Sequence, residues 1–182
     1  MTIPGNLKLT GYGVELTRLS EDKIELVRKW RNDEKITRYM EYQEHITKEQ
    51  QKSWFHRINN DNNLYLIISV EGHDIGLINI KNIDYNIGVG ESGIFIWDDN
   101  FYDKKISYKS RLLMLDYAFV KLRLQKIISH VLYNNIRSQK SILSMGYVLN
   151  KGQESIKLQE YYLSSKRYFS YKTNTLAKIG VL

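Results

Sequence analysis

The sequence has no cysteine in 182 residues. Disulfides and thiolate chemistry are therefore excluded. No apolar run reaches the roughly 18 residues of a membrane-spanning helix, and the richest, Leu112 to Leu115, is cut by Asp116. Met1 to Leu9 lacks the basic-then-apolar layout of a secretion signal, so the expected location is the cytoplasm. Repeats, low-complexity tracts and linkers are lacking too. His45, His56, His73 and His130 are scattered without metal-ligand spacing, and Asp98-Asp99 reads as turn chemistry.

What is present suits one soluble domain over residues 1–182, with 42% hydrophobic and 26% charged residues. The formal net charge of +7 favours anionic partners, although a lysine-rich surface alone accounts for it equally well.

Val14 to Leu19 alternates apolar and polar residues and predicts a strand. Ser20 then caps a helix whose stripe is Ile24, Val27, Trp30 and Ile36, with a break at Asn32-Asp33. Thr47 and Gln50 form a capping box for a second helix with Trp54, Phe55 and Ile58 on its apolar side. Leu64 to Val70 and Ile75 to Ile80 predict a hairpin about Glu71-Gly72-His73-Asp74. Glu91 to Trp97 predicts a fourth strand, Ser107 to Leu122 a largely buried helix, and Gln125 to Tyr133 a fifth strand. A further helix closes at Gly146, followed by strands near 147–149 and 161–171. This order predicts an α/β fold, a mixed, mostly antiparallel central sheet with helices on both faces.

Between the fourth strand and its helix the chain reads Tyr102, Asp103, Lys104, Lys105, Ile106, Ser107, a loop with no glycine. Four stretches, VRKWRNDEKITRYM, ESGIFIW, YDKKISYKS with LLMLDYAF, and NNIRSQKSILSMGY, together resemble the Gcn5-related N-acetyltransferase (GNAT) superfamily. The likeness is greatest to its ribosomal-protein-acetyltransferase-like branch, which includes amino-sugar-nucleotide acetyltransferases. The resemblance implies acetyl-CoA as co-substrate and an amine as acceptor. It also implies that the fourth and fifth strands splay apart. The donor's pantetheine arm would then pair with the backbone of Phe95, Ile96 and Trp97. The family's glycine-bearing pyrophosphate loop falls on Tyr102 to Ser107, with Lys105 in place of one glycine. There, successive N–H groups before a helix N-terminus would hold a diphosphate, with Lys104 or Lys105 adding charge. Asn135 and Arg137 match a segment that often contacts coenzyme A, and Lys140 lies near.

For catalysis, the resemblance places a general base at Glu91, with His130 as second candidate. The family's usual acid tyrosine falls on Ile142 and is missing, which leaves Tyr133 and Ser141, or Ser138, to protonate the sulfur. Trp30, Arg31 and Asn32, with Tyr39 and Met40, are expected to bind an anionic, ring-shaped acceptor, and Trp54 and His56 could line the same pocket. The expected partners are a small-molecule, nucleotide-linked amine and a second copy of the chain as a homodimer; a membrane or nucleic acid is not expected. Alternatives are acetylation of protein N-termini or polyamines, and a degenerate fold that binds without catalysis. Interleaved aromatic and basic residues at Tyr161 to Lys172 raise single-strand nucleic-acid binding as a third class, but an exposed strand gives the same pattern.

Overall fold

The computed structural model describes residues 2–181, the side chains of residues 102–104 excepted. In chain order the strands and helices are β1 (Lys8–Gly11), β2 (Val14–Arg18), α1 (Ile24–Asn32), α2 (Glu34–Thr37), α3 (Lys48–Ile58), β3 (Leu64–Val70), β4 (His73–Asp84), β5 (Val89–Ile96), α4 (Ile106–Asp116), β6 (Lys126–Leu132), α5 (Ile136–Ser144), β7 (Val148–Leu149), β8 (Leu158–Ser164) and α6 (Ser165–Ile179). Short 3-10 turns cover Glu21–Lys23 and Asp99–Lys104, and α4 widens into a π turn at Tyr117–Lys121. The strands form one eight-stranded sheet in the order β1-β2-β3-β4-β5-β6-β8-β7. Among these strands only the β5–β6 pair is parallel. The expected mixed sheet is therefore found. The strands anticipated as fourth and fifth are β5 and β6, because the short edge strand β1 carries no sequence signal.

Every residue of β3 is buried, and the period of two divides them between the faces. Leu64, Leu66, Ile68 and Val70 join α4, α5 and α6 in the larger core. Tyr65 and Ile67 join Val27, Trp30 and Phe55 beneath α1 and α3. Glu71 and Gly72, both with positive φ, make the tight β3–β4 turn, and pairing begins at His73.

Local signals behave as the side chains dictate. Thr47 and Gln50 exchange both bonds of the capping box, at 3.2 and 2.7 Å. The break at Asn32-Asp33 is present, with Asp33 extended and its carboxylate capping Lys35 N–H at 3.1 Å. Gly146 closes α5 with φ +97. Ser20 stands at the N-cap of the 3-10 turn, but its hydroxyl makes no capping bond.

The end of the chain departs from expectation. The strand expected over 161–171 ends at Ser164, whose hydroxyl accepts from Arg167 N–H at 3.3 Å and starts α6. Tyr168, Thr175 and Ile179 recur at helical spacing and are buried. The aromatic and basic residues of 161–172 are thus shared between a strand and a helix, and Tyr161 and Tyr168 belong to the core. No helix among the described residues is long and apolar enough to cross a membrane.

Candidate active site

β5 and β6 pair only from Val89↔Lys126 to Ser92↔Ser129. Beyond that point β5 stays with β4, while His130 to Leu132 stay with β8. The sheet therefore opens into a V with Ser92 and Ser129 at its vertex. A cleft of about 780 Å³ passes through this opening, lined by Gly93 to Ile96 on one side and His130 to Leu132 on the other.

On the α4 face, the 3-10 turn Asp99–Lys104 ends at Lys105, which has φ 56 and ψ 27 and precedes the first turn of α4. A right-handed turn followed by one left-handed residue points successive N–H groups at a common spot. The first N–H groups of α4 also have no intrahelical partner. Lysine thus adopts the backbone conformation for which glycine is the usual residue, at a steric cost of roughly 1–2 kcal/mol. Its ammonium turns away from the cleft and donates to the Lys178 carbonyl at the end of α6. Ser107 lines the cleft, whereas Ile106 is core. The expected contributions of the Tyr102, Asp103 and Lys104 side chains lie outside the described residues.

Glu91 faces the other side, one residue before the vertex, and lines the cleft. Its Oε1 meets Lys81 Nζ at 2.8 Å and His130 Nδ1 at 3.3 Å, and Oε2 accepts from Asn82 Nδ2 at 3.3 Å. His130 Nε2 lies 3.5 Å from Glu160 Oε2. Burial pushes the Glu91 carboxyl upward, but the Lys81 bond and charge, with His130 beside it, outweigh that and hold it below the ordinary glutamate value. Glu91 is therefore an ionised acceptor.

The outer cleft is lined by Arg31, Lys35, Arg38, Tyr39, Met40, Tyr42, Trp54 and Tyr65. Lys35 pairs with Asp99 at 3.3 Å. Arg31 lies over the Trp54 ring at 5.3 Å, and no carboxylate pairs with it among the described residues. Burial lowers its pKa, and only the phenols of Tyr65 and Tyr42 oppose this.

The cleft brings together Glu91, Phe95, Ile96, Ser107, Asn135, Arg137, Ser141, Arg31, Tyr39 and Met40 of the expected residues. It does not bring in Trp30, which is 2% exposed and packs on Trp97 and Phe95. Asn32 is a structural staple, its amide donating to the Ile46 carbonyl and accepting the Ile46 N–H, both at 2.9 Å. Successive helical side chains point about 100° apart, so Trp30, Arg31 and Asn32 cannot share one pocket. Trp97 donates from Nε1 to Asp33 at 2.9 Å and does not line the cleft. Tyr133 is 58% exposed and outside the lining. Asn135 Oδ1 is engaged in capping α5, accepting from Ser138 N–H at 3.1 Å. Ile142, which stands where the family's acid tyrosine is expected, is fully buried in the larger core.

Three cleft residues gave no sequence signal. Lys81 tunes Glu91 from the neighbouring strand, opposite it in register. Asn79 Oδ1 is buried beside Gly93 without a hydrogen-bond donor. Arg111, on α4, is 5% exposed, and its Nε and Nη1 have no partner. Periodicity assigns that position to a buried helix face, and an arginine in such a stripe is the one available hint.

A family model described as an acetyltransferase (GNAT) domain matches residues 14–148. No curated protein matches the sequence. Among solved structures, a GCN5-related N-acetyltransferase from Brucella melitensis is 16% identical, with a TM-score of 0.77 over 97% of this chain and 87% of that one. A spermidine N-acetyltransferase from Vibrio cholerae, in complex with CoA and spermine, is 19% identical, with a TM-score of 0.77 over 87% and 99%. A domain from Methanocaldococcus jannaschii is 23% identical, with a TM-score of 0.73 over 83% and 97%. At these identities the likeness is one of fold.

Proposed function

The chain belongs to the GNAT acetyltransferase family, whose members move an acetyl group from acetyl-CoA to an amine, and from that premise we propose that its acceptor is a small anionic amine, an amino sugar carried on a nucleotide diphosphate. Acetyl-CoA, when bound, supplies an acyl carbon activated as a thioester. The amides at Lys105 to Ser107 would hold its diphosphate, and the inner edge of β5 would hold its arm. Glu91 takes the proton that the acceptor nitrogen must shed, directly or through water; Lys81 and His130 hold it ionised while lowering its basicity. Asn79 Oδ1 is suited to accept an N–H of the acceptor and orient it. Ser138 and Ser141 are the hydroxyls nearest in kind to the missing acid, and a thiolate leaves acceptably without one.

The observation that carries the acceptor assignment is Arg31. It is a half-buried guanidinium over an indole with no carboxylate beside it among the described residues. Such a group calls for a phosphate or carboxylate from outside the chain. The resemblance of VRKWRNDEKITRYM to the amino-sugar branch agrees. The lack of cysteine and the donor fit a cytoplasmic location.

A second reading, polyamine acetylation, is favoured by the fold likeness to the Vibrio spermidine enzyme. A polycation needs clustered carboxylates, yet of the three that line this cleft Asp99 and Glu91 are paired with Lys35 and Lys81, which leaves Glu41 alone among the described residues. Thiol release from acetyl-CoA is therefore expected with amino-sugar nucleotides and not with spermidine. Arg31→Met should raise the acceptor KM about tenfold or more. Turnover of spermidine alone, unaffected by Arg31→Met, would overturn the assignment.

A further inference from the structure

Arg111 is an ionised group in a place where ions are costly. A guanidinium stays protonated at any working pH, and burying a charge without a counter-charge costs several kcal/mol. Among the described residues no carboxylate pairs with it, and two of its nitrogens are buried without any acceptor. It nevertheless lines the cleft, together with Ser141, whose hydroxyl is also buried and unpartnered. Three orphaned donor atoms on two residues of one cavity wall specify acceptor atoms that a ligand must bring.

Their position says which part of the ligand. The diphosphate amides are at Lys105 to Ser107, at the N-terminus of α4. Arg111 is one turn further along the same face, toward the vertex. The nearest polar neighbours identify that end. Arg111 is near enough to Tyr147 for its charge to oppose the burial that raises that phenol's pKa, and Tyr108, one turn back, is its other phenol neighbour; the Tyr147 hydroxyl lies 3.3 Å from Ser92 Oγ. Ser92 and its partner Ser129 are the last paired residues before the strands part. Hydroxyls and a guanidinium therefore surround the acyl end of the cleft. An acetyl methyl gains nothing from such a lining.

We propose that the cleft accepts, beside acetyl-CoA and more tightly, thioesters whose acyl chain ends in a carboxylate, the succinyl and malonyl class, with Arg111 reading that carboxylate. The inference rests on the reading that an acyl-CoA occupies the cleft. In the transfer a C–N bond forms between the acceptor nitrogen and the thioester carbonyl carbon as the C–S bond breaks. The nitrogen's proton passes to Glu91, and the sulfur leaves as thiolate and is protonated to the free thiol. The product is an amide that keeps the free carboxylate.

Titration of the wild-type chain with CoA, acetyl-CoA, butyryl-CoA and succinyl-CoA tests this without turnover. Succinyl-CoA should bind about 30-fold tighter than butyryl-CoA, its uncharged counterpart of equal length. Arg111→Leu should bring that ratio to about one, and Arg111→Lys, which keeps the charge and loses the planar fork, should fall between. If CoA and acetyl-CoA bind but succinyl-CoA is no tighter than butyryl-CoA, the inference fails and the donor assignment stands. If no thioester binds, the donor assignment fails and takes the inference with it. A variant that weakens all four ligands equally would give Arg111 to the pantetheine arm and overturn the proposal.

Discussion

Glu91 is held by two neighbours that favour its charge, Lys81 at 2.8 Å and His130 at 3.3 Å. Its folded pKa is below its unfolded one. The stabilisation is therefore complete above the unfolded value and is lost as the pH falls through the folded one. Lys81→Met should cost about 0.5–1 kcal/mol at pH 7 for this partly exposed pair, and less in acid, as urea melts at the two pH values would show. Glu91→Gln should lower kcat by about 10²-fold or more with little change in donor affinity; unchanged turnover would remove Glu91 as the base. The position of Glu91 was legible from the family resemblance, and the structure puts it at the cleft two residues into β5, whereas Lys81, opposite it in register, gave no signal. The residues expected to bind the acceptor were less legible. Arg31 lines the cleft, but Trp30 and Asn32, adjacent in sequence, point into the core and at Ile46. The sequence names a cluster, and only the helix phase says which member faces out.

At the scale of elements, the glycine-free loop puts a lysine into left-handed space just before α4, the conformation that the proposed diphosphate turn needs. Lys105→Gly should retain or raise donor affinity, since it relieves that strain and the lysine ammonium points elsewhere. Lys105→Val should weaken binding and lower stability by more than about 1 kcal/mol, because a β-branched residue tolerates positive φ poorly. Equal affinity for CoA in both variants would separate the turn from donor binding. Helix α6 shows where element reading runs out. Its opening residues, Ser165 to Tyr171, continue the aromatic richness of β8, and strand propensity prevails locally. Tertiary packing decides otherwise, since Tyr168 and Ile179 close one face of the larger core and α6 supplies the carbonyl that holds Lys105. β1 escapes notice for the opposite reason, as a four-residue edge strand that buries little.

For the whole molecule, element order sufficed to give the sheet, because strands that alternate with helices at these spacings leave few topologies. What order could not give is how the two halves of the sheet part. β5 is committed to β4 and β6 to β8, so the vertex at Ser92 and Ser129 is a consequence of register across the full width. The proposed chemistry depends on that parting, because the donor's arm must lie between the two strands with its diphosphate on the turn before α4. Residue-resolved hydrogen exchange with and without saturating acetyl-CoA measures this placement directly. Slowed exchange confined to the inner edges of β5 and β6 beyond the vertex and to the amides of Lys105 to Ser107 is the predicted result. Unchanged exchange at those amides, with the fold intact, would contradict it.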